Sequence, residues 1–291
     1  MEPLRVSVRR GDVVEAVHRV HAVAVQDGEV VAEAGDRALV AFMRSSSKPL
    51  QAIPLARARA DVDERDLAIA SASHLADAAQ LTAVKALLAK APGREDELEC
   101  GPEGNPPSRL KHNCSGKHAG MLAVCRAKGW RSEGYRLEGH RVQREALAVH
   151  AEAAEVPEDE IPTGVDGCGV LTFALTLERM AHAFSRLSQL DGGDRVAAGM
   201  RSYPDLIRGP LASDTRLMKA LPDWIAKGGA EGLLCASGNG LGVALKAEDG
   251  NGRALGPAAA AFLSHLEVDL GELAVVPLEN SRGERVGEIS A

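Results

Sequence analysis

The order of strand-like and helix-like segments constrains the fold more than any other feature of the sequence. Between Leu4 and Phe42, short apolar runs with a period of two alternate with Asp-Gly and Gly-Asp, which predicts an antiparallel meander. Near the other end, LLCA and LGVALK stand on either side of SGNG and predict a hairpin. The final ERVGEIS is predicted to return as an edge strand.

Helical periodicity fills the middle of the chain. Leu81, Val84 and Leu88 share one helical face. A second apolar series, spaced alternately four and three residues apart, predicts one amphipathic helix and consists of Phe173, Leu177, Met180, Phe184 and Leu187. Strands at both ends with helices between them predict an α+β fold, with an antiparallel sheet flanked by helices. Without a repeat or linker, residues 1–291 are expected to form a single domain.

Composition and charge exclude several classes of function. With 291 residues, 45% of them apolar, the chain can bury a large core. No run approaches the ~18 apolar residues of a membrane span, and MEPLRVSVRRGD lacks a secretory stretch, so we expect a cytoplasmic protein that does not act at a membrane. A net charge of −7 without a basic run argues against nucleic-acid binding. Five dispersed cysteines are expected to be reduced.

The stretch RSSSKPLQ, residues 44–51, contains a candidate nucleophile. If a helix starts near Ser45, then Ser45 and Lys48 are three residues apart and share a face. A lysine that burial or nearby cations keep neutral can remove the hydroxyl proton of a serine. Two alternatives remain open: the serine caps a helix, or Ser-x-x-Lys arises by chance, as in SRLK at residues 108–111.

A lysine followed by two glycines, Lys227 in KGGAEG, opens the predicted C-terminal hairpin. The arrangement resembles the Lys-Thr-Gly strand of penicillin-recognising serine enzymes, in which the lysine lies beside the nucleophile and the glycine edge admits substrate. The alternative is a surface lysine before a flexible turn.

Two cysteines lie in glycine-framed loops. Cys114 and Lys117 are three residues apart in KHNCSGKHAG, and Cys168 follows Asp166 by two residues in GVDGCGV. Taken alone, these stretches suggest a zinc site of two thiolates and a histidine, although the spacing is not that of a structural Cys-x-x-Cys site. The remaining cysteines are predicted to pack as small buried hydrophobic residues; they are Cys100, Cys125 and Cys235.

Taken in order, RSSSKP, SASH, CGPEG, HNCSGKHAGML, GVDGCGV and KGGAEG resemble the motifs of the asparaginase II family, the zinc-containing rhizobial type of L-asparaginase. Six separated motifs agree in order and kind, and they span nearly the whole chain. The resemblance implies a fold like that of serine β-lactamases and glutaminases. It also implies a homodimeric amidohydrolase that converts L-asparagine to L-aspartate and ammonia.

The resemblance implies a catalytic set of two serine–lysine pairs. Ser45 with Lys48 matches the first pair, and Ser73 of SASH with Lys227 matches the second. In the implied mechanism, Ser45 attacks the side-chain amide, ammonia leaves, and water hydrolyses the aspartyl ester.

The resemblance also implies how substrate and metal are bound. Arg44, Asp166 and His118 fall in the substrate pocket, where a cation and an anion suit the charged α-carboxylate and α-amino groups. A Zn²⁺ ion that orients the substrate, rather than activating water, is implied to be held by Cys114, Lys117 and Cys168. A lysine ligand must be neutral to bind a metal.

The sequence departs from the family pattern after SASH, where LADAAQ stands, so the pocket beside Ser73 is expected to differ. Rival functions are a glutaminase, an amidase for modified asparagine, and a non-catalytic protein that binds zinc or an amino acid. One methylene group in a pocket shifts preference by only ~1–3 kcal/mol, so the sequence does not choose between the amides. Two retained serine–lysine pairs favour an enzyme, because binding alone requires neither.

Overall fold

Eleven strands and ten α-helices build the protein, and a computed structural model describes residues 1–291. The strands are β1 (Leu4–Arg10), β2 (Val13–Gln26), β3 (Glu29–Ala34), β4 (Val40–Phe42), β5 (Thr163–Val165), β6 (Leu171–Thr176), β7 (Ile225–Gly229), β8 (Leu233–Gly238), β9 (Leu241–Ala247), β10 (Val275–Glu279) and β11 (Arg285–Ser290). The helices are α1 (Lys48–Ala58), α2 (Glu64–Ala70), α3 (Ala78–Lys90), α4 (Ser115–Ala127), α5 (Arg141–Ala154), α6 (Leu177–Arg186), α7 (Gly193–Ser202), α8 (Pro204–Ile207), α9 (Ser213–Ala220) and α10 (Leu255–Ser264).

The main sheet joins the two ends of the chain. Its strands lie in the order β10-β11-β1-β2-β9-β8-β7, with β3 also paired to β2, and every pairing is antiparallel. The predicted hairpin of β8 and β9 is confirmed, and the meander predicted between Leu4 and Phe42 is confirmed for β1, β2 and β3. Its last run, ALVAF, is wrongly placed, because β4 pairs with β6 and not with β3. The prediction that ERVGEIS forms an edge strand is wrong, because β11 pairs with both β1 and β10. The edge belongs to β10, which the sequence pattern did not indicate.

A second, three-stranded sheet lies in the order β4-β6-β5. Phe173 lies in the central strand, β6, although the apolar spacing had placed this residue at the start of a helix. That part of the prediction is wrong. Thr176 caps α6 through a hydrogen bond that its hydroxyl accepts from the N–H of Arg179, so the helix begins only at Leu177. Phe173 is buried in either conformation, and the apolar spacing alone therefore could not separate strand from helix.

Helices cover the main sheet and share its core. Helix α6 packs against β2, β8 and β9, and α10 packs against β1, β9 and β10. A Cβ atom at Gly242 of β9 would lie 2.0 Å from Ala181 O, so a glycine is needed for the close approach of α6. Buried hydrophobic residues form one cluster of 82 members. The α+β prediction of an antiparallel sheet flanked by helices is confirmed; the single-domain assignment stays a prediction.

All five cysteines are free and buried. None of the helices has both the length and the apolar surface that crossing a membrane requires.

Candidate active site

A sharp turn between β4 and α1 presents the three serines. Residues Arg44–Ser47 form one turn of 3₁₀ helix, and α1 begins at Lys48. Arg44 has a φ of +50°, a left-handed conformation that is uncommon outside glycine and clusters at functional sites. The N–H of Lys48 donates to Ser45 O. Because side chains three residues apart eclipse each other in a 3₁₀ helix, this turn puts Ser45 and Lys48 on one face.

The three serine hydroxyl groups differ in their hydrogen bonds. Ser46 Oγ donates to Met43 O at 2.6 Å, and Ser47 Oγ donates to Arg44 O at 2.7 Å. Both of these serines are fully buried. Ser45 is half-buried, and no hydrogen bond holds its hydroxyl group. Of the three, Ser45 therefore carries the hydroxyl that is free to meet a substrate.

Lys48 extends into the interior towards the segment between α2 and α3. Its Nζ donates to Ala72 O at 2.6 Å and to Ser73 Oγ at 2.9 Å. Lys48 is 0% exposed and Ser73 is 1% exposed. Burial lowers the pKa of Lys48 from its ordinary value. The structure thus joins the lysine of one implied pair to the serine of the other.

Strand β7 holds Lys227 beside a buried carboxylate. The Lys227 ammonium group donates to Gly228 O at 2.7 Å and to Asp214 Oδ2 at 3.4 Å. It makes no hydrogen bond to Ser73. Lys227 is 0% exposed and Asp214 is 2% exposed. Burial lowers the pKa of Lys227 to about 8, and the Asp214 carboxylate opposes that shift. Asp214 was not predicted, because SDTRLMK resembles any acidic helix N-terminus.

Glycine at position 229 brings β7 against the serine turn. A Cβ atom there would lie 2.8 Å from Met43 O and 2.9 Å from Ser46 Oγ. Any larger residue would push the strand and the turn apart. Gly229 therefore serves a close packing contact between the strand and the turn.

Arg44 and Asp166, the implied partners of the two charged groups of the substrate, form an ion pair with each other. Arg44 Nε donates to Asp166 Oδ1 at 2.6 Å, and the Arg44 side chain is 29% exposed. The same carboxylate oxygen accepts the N–H of Gly167 at 2.8 Å. The two groups are therefore adjacent, as recognition of an amino acid requires, but each neutralises the other in the free protein.

His118 lies on α4 with one ring nitrogen unpaired. Its Nδ1 is 2.7 Å from Tyr135 Oη, which accepts the N–H of Glu99 at 2.8 Å. Donation of the tyrosine proton to Nδ1 uses the one hydrogen that Oη has to give, and in that tautomer the histidine proton lies on Nε2. That Nε2 is buried and has no partner. Burial lowers the pKa of His118 well below its ordinary value, so the ring is a neutral donor.

The three implied metal ligands meet at the start of α4. Lys117 Nζ donates to Cys168 Sγ at 3.1 Å, and Cys114 Sγ donates to Asn113 Oδ1 at 3.0 Å. All three residues are at most 5% exposed. The neighbouring Cys168 side chain lowers the pKa of Cys114, while Cys114 and burial raise the pKa of Cys168. Burial opposes the charge of Lys117, but the two thiol groups outweigh burial and raise the pKa of Lys117 above its ordinary value.

This donor set fits zinc only if the lysine takes part. No three His, Cys, Asp or Glu side chains are placed to hold a metal, so the alternative of two thiolates and a histidine is wrong. His112 Nδ1 instead accepts the N–H of Cys114 at 3.0 Å, and His118 Nδ1 is bonded to Tyr135. Two sulfur atoms and one amine are buried together, and zinc accepts sulfur and nitrogen donors. Because the pKa values of Lys117 and Cys168 are raised, zinc binding would have to displace protons from both groups. The residues present therefore fit the implied ion.

The departure LADAAQ after SASH builds the support beside Ser73. Asp77 and Gln80 form a capping box at the start of α3. Gln80 is fully buried, and its Nε2 donates to Arg208 O at 2.7 Å and to Asp205 O at 3.2 Å. Ile207 in the same segment accepts the N–H of Ser73 at 2.7 Å. Gln80 thus fixes the backbone against which Ser73 is placed.

Comparison with known proteins agrees with the motifs. The family model described as L-asparaginase II matches residues 6–291. Nothing among the curated proteins matches the chain. Among solved structures, 17 chains match. One, from Bacteroides dorei DSM 17855 and described as a beta-lactamase, is 11% identical over 84% of this chain and 93% of that one, with a TM-score of 0.47. At this level of likeness it supports no statement about function.

The family match covers all but the first five residues, including every motif of the site described above. The chain therefore belongs to the L-asparaginase II family and is an amidohydrolase of the L-asparaginase type.

Proposed function

We propose that the protein hydrolyses the side-chain amide of L-asparagine to L-aspartate and ammonia, with Ser45 as the nucleophile. The observation that carries the proposal is the state of the serine turn. Ser45 alone among the three serines has a free hydroxyl group, and the turn puts Lys48 on its face. In the free protein the Lys48 amine bonds to Ala72 O and Ser73 Oγ and makes no hydrogen bond to Ser45. The proposal therefore requires the amine to turn towards Ser45 when substrate binds, as catalytic hydrogen bonds often tighten only in the complex.

Ser73 is the rival nucleophile, because it contacts Lys48 directly. At 1% exposure, however, its hydroxyl group lies out of reach of a substrate unless the surroundings move. We therefore assign Ser73 the role of holding Lys48 and of passing a proton to or from it. This assignment keeps both implied serines in the site but gives them different tasks.

The proposed mechanism is acyl transfer. Neutral Lys48 takes the proton of Ser45, whose Oγ bonds to the amide carbon of the substrate. The ammonium form of Lys48 then protonates the leaving nitrogen, the carbon–nitrogen bond breaks, and ammonia departs. Water hydrolyses the resulting ester, again with Lys48 as the base. Lys227 remains a cation and stabilises the negative charge that develops on the carbonyl oxygen.

Arg44 and Asp166 are proposed to bind the α-carboxylate and the α-amino group. Their mutual ion pair must open when the substrate binds, since a zwitterion offers each of them a replacement partner. The unpaired Nε2–H of His118 is proposed as a further donor to the substrate. An analogue of asparagine that lacks the α-amino group offers Asp166 no replacement partner, and we expect this analogue to bind poorly.

Zinc is proposed to be held by Cys114, Lys117 and Cys168. When bound, the ion supplies a fixed positive charge that orients the charged end of the substrate. We expect about one zinc per chain by elemental analysis of protein purified without chelator, and much less in Cys168→Ser. Full zinc content in Cys168→Ser would remove that residue from the ligand set.

Release of ammonia from L-asparagine and L-glutamine, measured side by side on purified protein, tests the function. The proposal predicts hydrolysis of asparagine with glutamine much slower. Equal or faster release from glutamine would overturn the choice of substrate. No ammonia from either, together with binding of asparagine in calorimetry, would favour a non-catalytic amino-acid binding protein.

A homodimer and a cytoplasmic location are expected from the family resemblance and from the sequence, respectively. Sedimentation equilibrium at several protein concentrations tests the first expectation. A mass of one chain at every concentration would contradict it.

A further inference from the structure

Asp214 is a buried carboxylate that the mechanism above does not yet use. It is the second residue of α9, and it is only 2% exposed. Its two oxygens have different partners: Oδ1 accepts the N–H of Thr215 at 2.9 Å, while Oδ2 faces β7. Burial of a carboxylate is costly unless charge and hydrogen bonds compensate it.

The Oδ2 atom of Asp214 joins α9 to the strand that carries Lys227. It accepts the N–H of Gly228 at 2.9 Å and lies 3.4 Å from Lys227 Nζ. A Cβ atom at Gly228 would approach that oxygen to 3.2 Å, so the strand is packed closely on the carboxylate. One oxygen atom thereby fixes both the backbone and the ammonium group of the same short segment.

We propose that Asp214 is a positioning residue of the active site, which holds Lys227 as a fixed cation and ties β7 to α9. The inference rests on the role proposed above for Lys227. Lys48 has a hydroxyl and a carbonyl partner but no carboxylate. Of Lys48 and Lys227, only Lys227 has a carboxylate partner. Asp214 therefore separates the tasks of the two lysines.

The charges around Lys227 give the sign of the effect. Asp214 is the negative group that faces it and favours its ammonium form, while Lys48 and Arg208 disfavour that form. Cys235, opposite Lys227 on β8, is a buried thiol whose pKa burial raises, so it is neutral. Removing the Asp214 charge must then lower the pH at which Lys227 loses its proton. If the cation is the active form, the alkaline limb of the rate profile moves to lower pH.

The test compares Asp214→Asn with a matched control, Asp66→Asn. Asp66 is likewise buried near a helix start and paired with a lysine, Lys90, at 2.5 Å, but it lies on α2 and is no part of the proposed site. We measure kcat and KM for L-asparagine from pH 6 to 10, with thermal unfolding of each variant. We expect the alkaline limb of Asp214→Asn to move down by about one pH unit, which costs about tenfold in kcat above the limb. The Asp66→Asn limb stays in place. If kcat fell at the same alkaline pH in Asp214→Asn and in the unmodified protein, the proposal would be overturned.

Two further measurements keep the inference separate from the function. In protein labelled with ¹³C-lysine, the Lys227 signal, assigned by its absence in Lys227→Met, should titrate at lower pH in Asp214→Asn, whether or not asparagine is hydrolysed. An unchanged midpoint would contradict the inference even in an active enzyme. If Asp214→Asn does not fold, Asp214→Glu decides. The glutamate keeps the negative charge but displaces it. We therefore expect kcat of Asp214→Glu to fall while its alkaline limb stays near the usual pH. An unchanged kcat would contradict the proposal.

Discussion

Two of the buried lysines of the site, Lys48 and Lys227, are fully buried, and their surroundings differ. Lys48, at the start of α1, donates to a carbonyl and to the hydroxyl group of Ser73. Lys227, on β7, donates to a carbonyl and faces the carboxylate of Asp214. Both are 0% exposed, so burial alone does not distinguish them. What differs is a carboxylate, which faces Lys227 and not Lys48.

That difference assigns the base and the cation. Burial lowers the pKa of Lys48 and also that of Lys227, to about 8, but only Lys227 has a carboxylate that opposes the shift. Titratable groups whose environments push their pKa values apart are the ones that divide acid and base tasks in enzymes. Lys48 is accordingly the proton acceptor and Lys227 the fixed positive charge.

The largest predicted effect concerns the nucleophile on the Lys48 side. Ser45→Ala should reduce turnover of asparagine at least about 1,000-fold, because no other exposed hydroxyl can replace the attacking atom. Ser46→Ala and Ser47→Ala serve as neighbouring controls and should cost far less, since their hydroxyl groups bond only to the backbone. Ammonia release measures all three. If Ser73→Ala had no activity while Ser45→Ala was nearly normal, Ser73 would be the nucleophile and Ser45 the supporting residue.

Removal of the proposed base should be nearly as damaging. Lys48→Met is expected to lose almost as much turnover as Ser45→Ala, and the double variant should be little worse than either, because residues that act as one unit give non-additive losses. Single-turnover kinetics provides the measurement. Losses that multiply in the double variant would show that Ser45 and Lys48 act separately, which breaks the proposed division between the lysines.

Titration of the Lys227 ammonium group should be visible in the pH dependence of kcat. Its pKa of about 8 lies near neutrality, so the ammonium form and the rate should both decline as pH rises through that value. Lys227→Met should lower kcat about 100-fold and remove the alkaline limb. The comparison of kcat between pH 6 and pH 10 in both proteins tests this. A rate that rises through pH 8 in the unmodified protein but not in Lys227→Met would mean that neutral Lys227 is the active form.

A smaller effect is expected where the two regions touch. Gly229→Ala would force a Cβ atom to 2.8 Å from Met43 O, and we expect about 1–3 kcal/mol of lost stability with a reduced kcat. Gly101→Ala is the control, because a Cβ atom there meets nothing within 4 Å. Chemical denaturation compares the two variants. Equal stabilities would show that the strand and the turn can separate without cost.

Much of the architecture follows from local patterns. Alternating apolar residues and turn signals were sufficient for β1, β2, β3, β8 and β9, because register and turn chemistry are encoded by neighbouring residues. The three-stranded sheet was missed. The run that forms β4 was assigned to the meander, because a local pattern does not name the pairing partner. Strand β5 has three residues, too few to show a period, and β6 is almost entirely buried, so it shows no alternation.

The site was predictable in its members and less so in its contacts. The spacing of Ser45 and Lys48 predicts a shared face, but the bond from Lys48 to Ser73 spans 25 positions and depends on how α1 packs against the segment after α2. Asp214 gave no usable signal, since an acidic residue in the first turn of a helix is ordinary. Only the approach of β7 to α9 gives that carboxylate a lysine partner.

The most direct test of the central claim identifies the serine that becomes acylated. Protein mixed with L-asparagine and quenched in acid within the first turnovers is digested, and the peptides are analysed by mass spectrometry. The account predicts an aspartyl ester on the peptide that contains Ser45, localised to that residue by fragmentation and absent from Ser45→Ala. An ester on Ser73, or ammonia release at full rate with Ser45 unmodified in every sample and still present in Ser45→Ala, would contradict it.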